Sequence, residues 1–220
     1  MGTAMMSASA IVKDDRVARF GYRDAGALYH HAYVLPAIGR LLPKARHLNV
    51  LDAGCGNGSL TAWLAAQGHE LTGVDVAEDG VAFARQQHAG PRFELRSVYD
   101  DLSDLMPVGG WDLIVSSEVI EHLFAPTKFL HNLFTLLRPD GHLIVTTPYH
   151  GYLKNFAVSL ANGWDRHFDS TREGGHIKFF SPRTLGTLVE AAGFRDIEFS
   201  HAGRLPYIWK SMICRARRPR

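Results

Sequence analysis

Leu51-Asp52-Ala53-Gly54-Cys55-Gly56-Asn57-Gly58 is the stretch on which the fold turns. A short apolar run, Leu48-Asn49-Val50-Leu51-Asp52, leads into it, and a segment of helical composition, Ser59 to Gln67, follows. Strand, glycine-rich loop, helix is the order in which an α/β sheet offers its backbone to a ligand. The glycines let the chain turn tightly and approach a bound molecule with no Cβ in the way. The next apolar run, Glu70-Leu71-Thr72-Gly73-Val74-Asp75, ends on an acid. An acid there accepts hydrogen bonds from both hydroxyls of a ribose. Loop and acid together predict a ribose-containing cofactor at the carboxyl edge of a sheet.

Strands and helices alternate outward from this loop. A helix is predicted over Ala77 to His88, a strand over Arg92 to Ser97 and another over Trp111 to Ser116. Pro126 to Leu137 has Phe129, Leu130, Leu133, Phe134 and Leu137 on one helical face. Arg138-Pro139-Asp140-Gly141 reads as a turn and His142 to Thr147 as the fifth strand. Such β-α repetition builds a parallel sheet covered by helices on both faces. The repetition breaks after the fifth strand. Residues 149–178 form an insertion with one predicted helix, Tyr152 to Ala161, and a polar loop, Asn162 to Gly175. Ser181-Pro182 then opens a helix with Ser as N-cap and Pro in the first turn. Arg195 to His201 and Tyr207 to Ala216 close the chain as two strands. Ahead of the first strand, Ala25 to Leu42 has helical spacing and reads as a lid segment within residues 1–45; residues 46–220 make the main domain.

With 220 residues, 46% hydrophobic and 21% charged, the chain has globular composition. No apolar run reaches the ~20 residues that span a bilayer. Met1 to Ala10 lacks the pattern of a secretory leader, and Met6 stands where myristoylation wants Ser or Thr. Net charge is +2, and four of the 24 basic residues are Arg215, Arg217, Arg218 and Arg220. Without that tail, read as a solvated terminus, acids outnumber bases, so nucleic acid is not an expected partner. Two cysteines, Cys55 and Cys214, form neither a disulfide framework nor a zinc pattern. A reducing, cytoplasmic setting is expected, with the chain a monomer or homodimer.

Gly54-Cys55-Gly56-Asn57-Gly58 departs from the dinucleotide fingerprint, because Ser59 stands at its third glycine position. Behind the acid Asp52 it resembles the glycine motif of class I S-adenosylmethionine-dependent methyltransferases. Ser117-Glu118-Val119-Ile120-Glu121-His122 is similar to the Glu-x-x-Glu-His element of the ubiquinone-biosynthesis O-methyltransferase branch. Arg138-Pro139-Asp140-Gly141 and Gly175-His176-Ile177-Lys178-Phe179 resemble two further elements of it. In one departure, Val34 stands where the branch has a cofactor-binding arginine. The resemblance implies a Rossmann-like, doubly wound, seven-stranded, mostly parallel sheet with an antiparallel last strand. It implies S-adenosylmethionine, held by Asp52, Gly54, Cys55, Gly56, Asp75, Val76, Ser97, Val98, Ser117 and Glu118.

Methyl transfer from a sulfonium is an in-line displacement, so the protein supplies proximity, orientation and a dry site. A hydroxyl acceptor also needs a base. Three histidines are candidates: His176 at the close of the insertion, His122, and His150 beyond strand five. Glu118, Glu121 and His122 stand at i, i+3 and i+4, so a helix would present them together. The branch uses such a trio for a divalent ion; here a metal is not expected. His167 and Asp169 form a further loop pair. Leu153, Phe156, Ala157, Leu160 and Trp164 give the insertion an apolar character. That suits a roof over a partly hydrophobic small molecule, peripheral contact with a membrane, or packing onto the N-terminal helix. The expected reaction is O-methylation; the alternatives are N- or carboxyl-methylation, a non-catalytic S-adenosylmethionine-binding protein, and a dehydrogenase.

Overall fold

The computed structural model describes residues 21–168, 171 and 174–220. The first part of the proposed lid, the terminal targeting motifs and Asp169 lie outside the described residues.

Seven strands form one sheet: β1 (Asn49–Ala53), β2 (Glu70–Asp75), β3 (Arg92–Leu95), β4 (Trp111–Ser117), β5 (Leu137–Pro148), β6 (Arg195–Ala202) and β7 (Ser211–Arg217). Their order is β3-β2-β1-β4-β5-β7-β6. The first five run parallel, and β7 inserts antiparallel between β5 and β6. The doubly wound fold read from the sequence is the one observed. The chain runs outward from β1 to β3 and then crosses back to β4. A crevice therefore opens between the carboxyl ends of β1 and β4, where α/β sheets bind ligands. Ser116 Oγ donates to Ala53 O across that seam, at 2.7 Å.

Helices α1 (His31–Leu41), α2 (Ser59–Ala65), α3 (Glu78–Gln87), α4 (Pro126–Leu136), α5 (Tyr152–Leu160), α6 (Trp164–His167) and α7 (Pro182–Ala191) cover the sheet or belong to the insertion. Side chains alternate across a strand, so the core divides into two layers. Val50, Leu113, Val115, Ile144 and Ile213 meet α1 and α2 on one face. Leu51, Ile114, Val145 and Cys214 meet α4 and α7 on the other. Ser181 caps α7 by accepting from Thr184 N, as its sequence predicts.

Three expectations are corrected. The N-terminal helix begins at His31, not near Ala25, because residues 21–28 form an irregular strap whose Asp24 and Gly26 carbonyls accept from Asn57 of the glycine loop. Arg138 to Gly141 belongs to β5, which starts at Leu137; Asp140, at φ 62°, keeps the turn as an irregularity in the strand. Nor is the arginine tail a solvated terminus. Arg217 pairs with Asp196 and Asp140, Arg220 pairs with Asp140, and Arg218 Nη1 donates to Phe134 O. Among the described residues no helix is long and apolar enough to cross a membrane.

Candidate active site

β1 delivers Asp52 into the crevice floor with no exposed surface. Thr61 Oγ1 donates to its Oδ2 at 2.6 Å, while buried Oδ1 has no partner among the described residues. Burial pushes this carboxyl up to about 7. The loop then doubles back: Gly54 N and Cys55 N both donate to Val74 O on β2. Gly54 has φ 90°, and a Cβ there would lie 2.3 Å from Val119 Cγ2. Gly56, at φ 51°, would place a Cβ 2.2 Å from the Tyr22 hydroxyl. Only bare backbone fits at either point.

Asp75 at the end of β2 grips this loop. Its Oδ2 accepts from Gly56 N and its Oδ1 from Ala77 N, both at 2.8 Å. Burial raises its pKa, and these backbone donors pull against that rise. The strap lies above. Gly21 N and Tyr22 N donate to Asp79 Oδ2, and Asn57 Nδ2 donates to Asp24 O and Gly26 O at 2.9 Å each. Burial, then the charge of Asp75, holds the Tyr22 phenol above its ordinary range. Beyond β3, Asp100 Oδ2 accepts from Ser97 N at 2.9 Å. This bond shapes the Ser97–Asp100 turn on the same wall.

The segment after β4 is not a helix. Glu118 has φ 55°, and only Ile120–His122 form a 3₁₀ turn. The trio expected on one helical face is therefore split. Glu118 Oε1 accepts from Thr146 Oγ1 and Glu121 Oε2 from Thr147 Oγ1, each at 2.9 Å. The two acids are thus held by different threonines of β5, and the charge of Glu118 still reaches Glu121. Burial raises Glu118 to about 7 and keeps Glu121 well above its usual range. His176 instead joins Glu121 and His122. Its Nε2 is 3.9 Å from Glu121 Oε1, and its ring meets that of His122 edge-on at 4.8 Å. His122 Nδ1 faces Gly174 O at 2.7 Å and Gly175 O at 3.1 Å. Two acceptors there require the Nδ1–H tautomer, so Nε2 carries the basic lone pair.

His150 stands apart from that group, stacked on Phe168 at 5.6 Å, and burial lowers it to about 4. The apolar stripe of the insertion faces outward, as only the reading of contact with an outside surface expects. Tyr152, Leu153, Phe156 and Leu160 of α5 are 50–80% exposed, whereas Lys154 is buried. The apolar stripe therefore packs neither on the N-terminal helix nor into the crevice.

All thirteen predicted site residues line one cleft of about 1560 Å³. Asp52, Gly54, Cys55, Gly56, Asp75 and Val76 form one end, with Ser97 and Val98 beside them. Ser117, Glu118 and His122 lie between that end and His150 and His176. A methyltransferase-domain family matches residues 27–198. The chain belongs to this family, the class I S-adenosylmethionine-dependent methyltransferases. A Mycolicibacterium smegmatis protein named a probable S-adenosylmethionine-dependent methyltransferase is 30% identical over 156 residues, 70% of this chain and 55% of that protein. The ubiquinone biosynthesis O-methyltransferase of Azorhizobium caulinodans is 31% identical over 166 residues, 73% of this chain and 64% of that one. The chain thus spans just over half to nearly two thirds of these curated relatives. A Haloferax volcanii methyltransferase, solved with the Trm112 activator, superposes with TM-score 0.69 at 16% identity, covering 87% of this chain and 90% of that one.

This methyltransferase cleft fits the donor molecule. The orphaned Asp52 Oδ1 suits an ammonium, and the glycine cradle leaves the backbone bare. Glu121, His122 and His176 each offer one ligand atom, all within 4.8 Å of one another, a group that could gather round one ion. Sequence reasoning missed Tyr22, Asn57 and Lys154. Asn57 sits inside the motif, a local signal, whereas Lys154 is a charge on a helix whose inward face nothing local specifies. Tyr22 carries no such signal, because only the tertiary path of the strap brings it to the loop.

Proposed function

We propose that the chain transfers a methyl group from S-adenosylmethionine to a hydroxyl oxygen of a small, partly hydrophobic molecule. The observation that carries this reading is the joining of two ends in one cleft. The glycine loop with Asp52 and Asp75 forms one end, and the His176–Glu121–His122 group lies toward the other. When bound, S-adenosylmethionine supplies a methyl group on a sulfonium, already activated for displacement.

Asp75 accepts from ribose hydroxyls through the lone pairs that Gly56 N and Ala77 N leave over. Asp52 Oδ1 accepts from an ammonium, and Ser117 and Glu118 border the reacting centre. The strap, tied by Asn57, closes the loop from water, which favours orientation over solvation. His176 takes the hydroxyl proton as the oxygen attacks, so the acceptor reaches the methyl carbon as an oxyanion in the making. Glu121 Oε1 stands 3.9 Å from His176 Nε2, beyond hydrogen-bond reach, where its charge, when ionised, favours the imidazolium. His122, pinned by the Gly174 and Gly175 carbonyls, walls the other side.

The test is calorimetry with S-adenosylhomocysteine, followed by its release on turnover of phenolic and alcoholic acceptors. Binding with acceptor-dependent release is expected. Binding of a nicotinamide dinucleotide in place of S-adenosylhomocysteine would overturn the reading.

A further inference from the structure

α5 is patterned against the ordinary rule. Helices of globular proteins turn apolar side chains inward and lysines outward. Here Tyr152, Leu153, Phe156 and Leu160 stand in solvent, while Lys154 keeps 6% of its surface and lines the cleft. Burying an ammonium is costly unless something pairs with it. Its described hydrogen bond is a single one, to Tyr149 O at 2.6 Å, whereas an ammonium offers three donors.

A second cation shares that wall. Arg204, on the loop between β6 and β7, lines the same cleft, and its field reaches Lys154. Neither has a described carboxylate within ion-pair distance. Burial, then Arg204, lowers Lys154 to about 8. Glu118 opposes this from a distance, but it is committed to Thr146 and itself pushed up to about 7. Lys210, nearby, is occupied by the rings of Tyr29 and Tyr33. The cleft is therefore polarised, with Asp52, Asp75 and Asp100 at the cofactor end and two unneutralised cations at the other.

We infer that the acceptor carries a carboxylate or phosphate that docks between Lys154 and Arg204. An anion there supplies what both side chains lack. It accepts the remaining ammonium hydrogens and meets the guanidinium fork, whose planar geometry matches such groups. Phe168 and Ile177 line the same cleft and suit the apolar body that bears the anion and the hydroxyl. The acceptor class is an amphipathic acid, with an aromatic or acyl body. This inference rests on the methyl-transfer reading and deepens it.

The same cations could serve the carboxylate of the donor molecule, and the experiment separates the two sources. Protein saturated with S-adenosylhomocysteine is titrated calorimetrically with 4-hydroxybenzoate, phenyl phosphate and phenol. The two anions should bind at least about tenfold tighter than phenol, as charge-assisted pairs require. Lys154→Met and Arg204→Gln should each cut that preference to about threefold or less, and leave S-adenosylhomocysteine affinity within about twofold. Absence of a preference in the wild type overturns the inference, as does a preference that survives both variants. A matching loss of S-adenosylhomocysteine affinity also overturns it, by assigning the cations to the donor. If Lys154→Met fails to fold, Arg204→Gln, at an exposed loop position, decides alone. A wild type that binds no S-adenosylhomocysteine fails earlier, at methyl transfer itself, and this inference falls with it.

Discussion

The two ends of the cleft are built by different means. The cofactor end is made of strand termini and backbone. Gly54, Cys55 and Gly56 are fixed by N–H bonds to Val74 O and Asp75, and a side chain more at either glycine would collide. The end we assign to the acceptor is made of side chains from an insertion and a loop: His150, Lys154, His176 and Arg204. Backbone bonded at the end of a parallel sheet tolerates little change. Side chains carried on an insertion can be exchanged, so one fold can serve many acceptors. Substitutions at the first end should therefore damage fold and cofactor binding together, and those at the second should act on the acceptor and its turnover while cofactor binding is kept.

The largest effect is expected at Gly54. An alanine there meets Val119 at 2.3 Å and must adopt φ 90°. Left-handed strain plus overpacking costs on the order of 2–4 kcal/mol. At ~2–4 °C per kcal/mol the melting temperature should drop by about 5–15 °C, and S-adenosylhomocysteine binding should be lost. Calorimetric melting checks both. A stable, binding-competent Gly54→Ala would erase the contrast between the two ends.

His176→Ala tests the other end. As the base, its loss should lower turnover by about 10²-fold. Melting temperature and S-adenosylhomocysteine affinity should stay near wild type, because the ring is partly exposed and lies on the insertion. Turnover that survives the change moves the base to His122 or His150. Asp75→Ala should show the reverse pattern. Losing two ribose hydrogen bonds to a charged acceptor should weaken S-adenosylhomocysteine by more than about tenfold, ~1.4 kcal/mol. The loosened Gly56 N adds to the loss. Unchanged affinity would remove Asp75 from the site.

The difference between the ends also explains what could be read in the sequence. The place of Asp52, the glycines and Asp75 at the carboxyl edge of the sheet is legible because backbone conformation and strand position decide it, and both are local. Glu118, Glu121 and His122 were placed on one helix by spacing alone. The chain instead turns through φ 55° at Glu118, where Thr146 holds the carboxylate, and that partner is remote in sequence. α5 misled in the same way. Its periodicity was helical, as read, but nothing local says which face the cleft takes, and the cleft takes Lys154. Tyr22 reached the loop through Asn57 and Asp79, contacts that no pattern in the strap announces.

A reversible effect separates the ends by pH. Burial raises Asp52 to about 7 from 3.8, so the folded protein keeps a proton that the unfolded chain releases. The folded state binds more protons between those values, and stability falls as pH rises from about 4 to about 7. Glu118, raised to about 7 from 4.5, acts in the same direction. Lys154 has the opposite sign. Its value falls to about 8 from 10.5, so between those values the unfolded chain binds more protons and stability rises with pH. Each pKa unit is worth about 1.4 kcal/mol, and each limb should move the melting temperature by several degrees. Asp52→Asn should reduce the acid limb to the part that Glu118 contributes and leave the alkaline one; Lys154→Met should remove the alkaline limb and leave the acid one. The acid limb should also shrink when S-adenosylmethionine is bound, because its ammonium favours the ionised Asp52, and affinity should climb through about pH 7. A melting curve against pH on the three proteins, with and without ligand, checks all of this. Both limbs vanishing in one variant would show that the two ends titrate as a single site.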